Sequence, residues 1–174
     1  MKQPAATEYA PFYGTYVSLV PETDVMAALA SQPALLRQLA TGMATDREMF
    51  RYAPGKWSVR EVLGHMIDTE RVFGYRAFCI SRGERQPLPG FDQNDYSKTS
   101  DADAHPLEDL VSEFSVVRHA NLLALRSLKD SDWDRTGTAS GHAVSVRALA
   151  FMMAGHVRHH LRILQDRYGI SRTA

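Results

Sequence analysis

The sequence predicts an all-α protein folded as a four-helix bundle, with an extended N-terminal lead-in and a long loop between its second and third helices. Three observations predict it. Apolar residues recur at helical spacing through four long segments, start signals stand where two of those segments begin, and few strand signals lie between them. At 174 residues the chain is long enough for one domain, read as residues 1–174, to enclose a continuous core. A hydrophobic share of 44% against 23% charged residues places it with globular chains and excludes a disordered one.

Residues 1 to about 20 form the lead-in. Pro4, Pro11 and Pro21 keep it from becoming a long helix, and Tyr9, Phe12, Tyr13 and Tyr16 suit a strap lying over the body. The first long helix runs from about Thr23 to Met43 on Val25, Met26, Leu29, Leu35, Leu36 and Leu39, and Pro33 inside it should kink or split it. The second opens more clearly. In Trp57-Ser58-Val59-Arg60-Glu61-Val62, Ser58 and Glu61 form a capping box, and Trp57 and Val62 a hydrophobic staple. Its stripe is Val59, Val62, Leu63, Met66, Phe73, Ala77 and Ile80, and Gly83 ends it.

From Gly83 to His105 the chain is rich in Pro, Gly, Asp, Asn and Ser. A structureless connection of roughly 20 residues is long, and suits a binding or covering role. The third helix starts near Pro106, suited to its first position, and continues to about Lys129 on a stripe of Leu107, Leu110, Val111, Phe114, Val117, Asn121, Leu122, Leu125 and Leu128. Asp130 to His142 reads as a linker with a Gly137-Thr138-Ala139-Ser140-Gly141 turn, which lacks the Gly-Lys-Ser/Thr of a phosphate loop. The last helix begins near Ser145, carries Leu149, Met153, Leu161, Ile163 and Leu164, and ends at Tyr168 before Gly169.

Lys plus Arg equals Asp plus Glu, at 20 each, so no field of one sign exists to draw nucleic acid or an anionic membrane. The single cysteine, Cys79, forms no internal disulfide and reads as a small buried apolar residue. The N-terminus lacks the apolar run of a signal peptide, and no stretch approaches the roughly 20 apolar residues of a membrane span. A soluble cytoplasmic protein is expected. The partner is then a small-molecule substrate, and the exposed bundle faces leave room for a homodimer.

The histidines carry the chemistry. His156 and His160 are four apart on the last helix, and at roughly 100° per residue their directions return to within about 40°. Both imidazoles therefore reach one ion from one face. They share the stripe of Leu149, Met153 and Ile163, so they point inward, where a bare ring nitrogen is costly. A metal ion satisfies them, and so do ordinary hydrogen bonds. His65, two turns into the second helix, is the candidate third ligand; alone, it also reads as a hydrogen-bonded core histidine. Three inward imidazoles leave a coordination position open for water or substrate. A zinc peptidase is set aside, because Val157 stands where its Glu base would follow the first histidine. His159 lies about 60° from His156 and either supports the site from behind or faces solvent or a helix contact. His105, His119 and His142 read as structural or surface residues.

Two segments then resemble a known family. Trp57-Ser58-Val59-Arg60-Glu61-Val62-Leu63-Gly64-His65-Met66-Ile67-Asp68-Thr69-Glu70 is similar to the first signature of the DinB/YfiT-like metalloenzymes, and Gly155-His156-Val157-Arg158-His159-His160-Leu161-Arg162-Ile163-Leu164 to their second. Tyr75-Arg76 and Val117-Arg118 fit the same pattern, from about residue 20 onward. The resemblance implies a four-helix bundle with His65, His156 and His160 as ligands of one divalent ion, zinc or nickel foremost. It also implies relatives that are transferases and isomerases using a low-molecular-weight thiol such as bacillithiol or mycothiol.

The leading expectation is a metal-dependent transferase that conjugates a small thiol to an electrophile, the ion lowering the sulfur pKa. Arg76, Arg118 and Asn121 are candidate partners for carboxylates of the thiol, with bundle salt bridges the alternative for both arginines. Asp68 and Glu70 are candidate orienters of the ligands, or solvated carboxylates. The rivals are metal-assisted hydrolysis at the same ligands and a metal-bearing stress or ligand-binding protein without turnover.

Overall fold

The computed structural model describes residues 2–170. Among them, in chain order, lie α1 (Gly14–Val17), α2 (Val25–Ala40), α3 (Thr45–Glu48), α4 (Val59–Ser81), α5 (Gln93–Thr99), α6 (Leu107–Arg126), the strands β1 (Thr136–Ala139) and β2 (His142–Ser145), and α7 (Val146–Tyr168). The four long helices form the expected bundle. α2 packs on α6 and α7, and α4 packs on the same two, so α2 and α4 stand across the diagonal from each other. Each of the connections α2 to α4 and α6 to α7 therefore crosses the bundle end between diagonal helices instead of joining neighbours.

The capping box at Ser58 forms as read. Its hydroxyl accepts from the Glu61 N–H at 3.0 Å, and its own N–H donates to Glu61 Oε2 at 2.8 Å. The Ser58 hydroxyl also donates to Asp103, which fastens the start of α4 to the segment before α6. Arg60 adds to that clasp, donating to Glu48 at 2.7 Å and to the Asp103 carbonyl at 2.7 Å. Ser145 caps α7, accepting from the Ala148 N–H at 2.9 Å, and Gly169 ends that helix in the left-handed region at φ 65°. Pro106 takes the N-cap of α6, one residue before the helix.

α2 is not split by Pro33; it is one helix through that residue. Proline cannot donate to the carbonyl four residues back, here that of Leu29. Arg118 Nη1 donates to that carbonyl at 2.9 Å instead. A guanidinium from α6 thus completes the hydrogen bonding that the proline leaves open.

The lead-in does lie over the body, but it is wound and not extended. Residues 6–8 and 11–13 form 3₁₀ turns and α1 follows. It lies along α7 and is pinned at two points: Glu8 pairs with Arg147 at 3.0 Å, and Arg158 donates to the Leu19 carbonyl at 2.7 Å and pairs with Glu22 at 2.6 Å. Between them, Gly155 gives the strap its closest approach; a Cβ there would stand 2.1 Å from the Tyr16 carbonyl oxygen.

The connection from Gly83 to His105 is not structureless, since it contains α5 and a 3₁₀ turn at residues 102–104. Residues 136–145 form a hairpin, where a linker was expected. Ser140 and Gly141 make its two-residue turn with φ of 51° and 79°, the pair of positive values a tight hairpin requires. Leu88 pairs with Ala139 beside it, tying the long connection to the hairpin. The core is built of two clusters stacked along the bundle, one around Leu29, Phe73 and Phe151 and one around Leu36, Met66 and Phe114.

Candidate metal centre

His65 on α4 and His156 and His160 on α7 come together, all three buried, with candidate ligand atoms within 4.8 Å of one another. His156 Nε2 lies 3.0 Å from His65 Nε2 and 3.0 Å from His160 Nε2. A neutral imidazole nitrogen carries either one proton or one lone pair, so a single Nε2 cannot make two good hydrogen bonds to two like nitrogens. Three converging lone pairs are, by contrast, a donor set for a cation. A tetrahedral ion with bonds of about 2.1 Å keeps its nitrogens roughly 3.4 Å apart, close to the two spacings observed. The residues present fit a divalent metal.

Burial reinforces the same chemistry. It pushes His65 down to about 4, with the His159 charge acting in the same direction. Burial first, and the neighbouring histidines second, hold His156 and His160 well below the ordinary histidine value. All three rings are therefore neutral at pH 7, the form that ligates metal. His160 Nδ1 is buried without a hydrogen-bond partner among the described residues.

The walls are aromatic. The Trp57 ring lies 4.9 Å from that of His65, and the Tyr16 ring 5.2 Å from His156 and 5.3 Å from His159. His159 is half-buried, with the Tyr16 ring at 5.3 Å and the His160 ring at 5.0 Å.

Two cavities meet the cluster. One, of about 320 Å³, reaches His160 and His159; the other, of about 300 Å³, reaches His65 and His156. Tyr16 and Gln93, the first residue of α5, line both. Among the described residues no carboxylate lines either one.

The other candidates serve the scaffold. Arg118 is fully buried and grips both oxygens of Glu70 at 2.8 Å, along with the Leu29 carbonyl and Gln32 Oε1 at 2.6 Å. Asn121 donates to the same Glu70 at 2.8 Å. Neither is free to hold a substrate carboxylate, and Glu70 is neither a ligand orienter nor solvated. Among the described residues Arg76 forms no bundle salt bridge; it is 2% exposed and donates to the Pro89 carbonyl at 2.7 Å and Ser140 Oγ at 2.8 Å, clasping the long connection to the hairpin. Asp68 is half-buried, with Arg71 and Glu113 as its charged neighbours, and burial holds its carboxyl above the ordinary carboxylate value. Cys79 is half-buried beside the core.

Sequence reasoning missed Tyr16 as a wall, along with Lys56, Thr69 and Gln93. Thr69 had a usable signal, because it follows His65 by four on the same helix face. Tyr16 had none beyond being aromatic.

The sequence profile of the DinB superfamily matches residues 28–164. A relative from Geobacillus thermodenitrificans, provisionally named a metal-dependent hydrolase, is 26% identical over 139 residues, covering 78% of this chain and 77% of its own. A second, from Geobacillus kaustophilus and named likewise, is 24% identical over 137 residues with the same coverage. Among solved structures, YfiT from Bacillus subtilis, described provisionally as a metal-dependent hydrolase with an unusual four-helix bundle topology, superposes with a TM-score of 0.75 at 18% identity, over 98% of this chain and 95% of that one. A mycothiol-dependent maleylpyruvate isomerase superposes at 0.64 with 14% identity, over 92% of this chain and 62% of that one. At these identities both structures speak for the fold.

Proposed function

This chain belongs to the DinB superfamily, and from that footing we propose that it is a divalent-metal-dependent enzyme that transfers a low-molecular-weight thiol to a small electrophile. One observation carries the reading: three neutral imidazoles converge where two cavities meet. A transfer between two organic molecules needs room for both beside one centre, and the two cavities offer it.

His65, His156 and His160 would hold the ion, zinc or nickel foremost among metals that imidazole suits. Bound there, it supplies Lewis acidity that lowers the pKa of a thiol or water placed at its open position. The protein's own part is positioning. Trp57 and Tyr16 fix the rings, the apolar packing beneath them excludes bulk water, and the neutral ring nitrogens leave the ion its full charge. Carboxylates being absent from the described cavity linings, a proton released in the reaction passes to His159 or to solvent.

Metal-assisted hydrolysis is the second reading, supported by the names of both curated relatives. Among the described residues no helix is long and apolar enough to cross a membrane. The test begins with metal content by mass spectrometry on tag-free protein beside a His156→Ala/His160→Ala variant. About one equivalent in the parent, lost in the variant, is expected. Thiol consumption across a panel of thiols and electrophiles follows. Turnover without added thiol moves the assignment to hydrolysis, and no metal after reconstitution ends both readings.

A further inference from the structure

Two arginines are almost wholly buried in the bundle, and they are balanced differently. Arg118 is 0% exposed and is paired with Glu70. Arg76 is 2% exposed and forms no ion pair among the described residues. Its Nη2 donates to two neutral oxygens, the Pro89 carbonyl at 2.7 Å and Ser140 Oγ at 2.8 Å. An arginine this deep is rarely left unpaired, because the interior cannot replace the water its charge gives up. The scaffold explains where Arg76 is held and leaves its charge unanswered.

The rest of the guanidinium faces open space. Nε and Nη1 of Arg76 have no acceptor among the described residues. They are also absent from the side-chain atoms sealed from solvent without a partner, which are Thr69 Oγ1 and His160 Nδ1. They are therefore reachable, and Arg76 borders a cavity of about 280 Å³ between α4 and the long connection. Val72, Tyr75, Leu88, Phe91 and Tyr96 give that cavity apolar and aromatic walls. Arg71 lines it too, but is taken by Glu113 at 2.8 Å. Among the described residues no carboxylate lines it. One clamped positive charge thus stands uncompensated on the wall of an apolar space.

We propose that this cavity binds a small aromatic monocarboxylate, its carboxylate on Arg76 Nε and Nη1 and its ring between Tyr75, Phe91 and Tyr96. One uncompensated charge calls for one negative charge; a dianion would bring a second that apolar walls cannot solvate. Charge-assisted hydrogen bonds to a guanidinium suit a carboxylate, and the aromatic walls accept a flat apolar body by stacking and edge contacts. The clamp on Pro89 and Ser140 holds the guanidinium in place before the ligand arrives, so little freedom is lost on binding. The site is distinct from the histidines. Arg76 lies eleven residues beyond His65, roughly 16 Å along α4 at 1.5 Å per residue. Gly90 and Phe91 border both this cavity and the one that reaches His65 and His156, so the two spaces are neighbours. The acid binds whether or not the histidines hold a metal.

The experiment uses 4-fluorobenzoate on the whole metal-free protein, followed by ¹⁹F NMR. A molecule this small binds saturably in the millimolar range. Its methyl ester, of similar shape without the charge, binds about tenfold more weakly, the worth of one charge-assisted hydrogen bond. On the unaltered protein the Arg76 Nε–H resonance, identified by its loss in Arg76→Gln, shifts along the same saturation curve. Arg76→Gln weakens the acid about tenfold. Because that change also loosens the clasp on Pro89 and Ser140, Tyr96→Ala is measured beside it; this half-exposed wall residue of α5 is expected to cost about threefold in affinity with the melting temperature unchanged. His156→Ala/His160→Ala binds the acid as the parent does, within about twofold, which separates the site from the histidines. No saturable binding, an ester that binds as well as the acid, an Arg76 resonance that does not move, or loss of binding in the histidine variant overturns the proposal.

Discussion

Replacing Gly155 by alanine sets two effects of opposite sign against each other. Gly155 lies inside α7, one residue before His156, and in an ordinary helix interior this change stabilises by about 1 kcal/mol through helix propensity. Here the added Cβ would meet the Tyr16 carbonyl oxygen at 2.1 Å and its carbonyl carbon at 2.5 Å. Ordinary non-bonded contact is roughly 3.5 Å, so strap and helix must part by about 1.4 Å. Both partners are backbone, and the strap is fastened on either side by Arg147–Glu8 and by Arg158 on the Leu19 carbonyl, so neither yields cheaply. Overpacking of this kind costs about 1–3 kcal/mol, and the loosened Tyr16 contacts with His156 and His159 add about 0.5–1.5 kcal/mol. The clash wins over the propensity gain by about 1–3 kcal/mol. For a chain of this length that lowers the melting temperature by roughly 3–10 °C. Scanning calorimetry on metal-free protein checks it, since bound metal would mask the difference. A Gly155→Ala variant that melts at or above the parent refutes the seating of the strap on α7.

Other perturbations have equally definite outcomes. Arg118→Met leaves Glu70 buried without its partner and is expected to cost about 3–5 kcal/mol in urea unfolding, while Glu70→Leu/Arg118→Met recovers most of it; a double variant as unstable as the single one contradicts the pairing. Metal-free protein is expected to hold full stability above about pH 6.5 and to lose it as the pH falls toward 4. In that window the unfolded histidines take up protons while buried His65, His156 and His160 do not. The fall should be shallower in His156→Ala, and urea midpoints measured across that range show whether it is. Ser58→Ala removes the cap of α4 and the tie to Asp103, at about 1–2 kcal/mol by the same unfolding measurement.

Features fixed by near neighbours in the chain could be read from the sequence. The α4 capping box needs only Ser58 and Glu61, and the His156–His160 pair needs only helical spacing, so both stood out. His65 was legible because its stripe and its motif agreed. The partners of Arg118 were not, because they come from α2 and α4 and depend on which helices lie diagonal. Pro33 looked like a break because the group that compensates it lies 85 positions later. The hairpin did carry a signal in Ser140-Gly141, but its four-residue strands are too short for alternation to show. α5 and the wound lead-in are local turns whose shape is set by what they lie against.

One guanidinium deep in the bundle has a consequence for how the helices find their alignment. Apolar stripes on straight helices repeat every turn, and a slide of one turn, about 5.4 Å, would still bring hydrocarbon against hydrocarbon. Arg118 on α6 reaches Glu70 on α4 and both the Leu29 carbonyl and Gln32 on α2, while Gln32 donates to the Ala154 carbonyl on α7 at 2.7 Å. All four long helices therefore share a single chain of polar contacts, and any slide strands at least one charge in an apolar interior. The vacancy left by Pro33 sharpens the choice, because it leaves the Leu29 carbonyl, in the interior of α2, waiting for a donor. The network works as an indexing pin: it contributes little to how tightly the helices adhere and much to where they stop. His156 lies two residues beyond Ala154, so the same pin sets the height at which the three imidazoles meet.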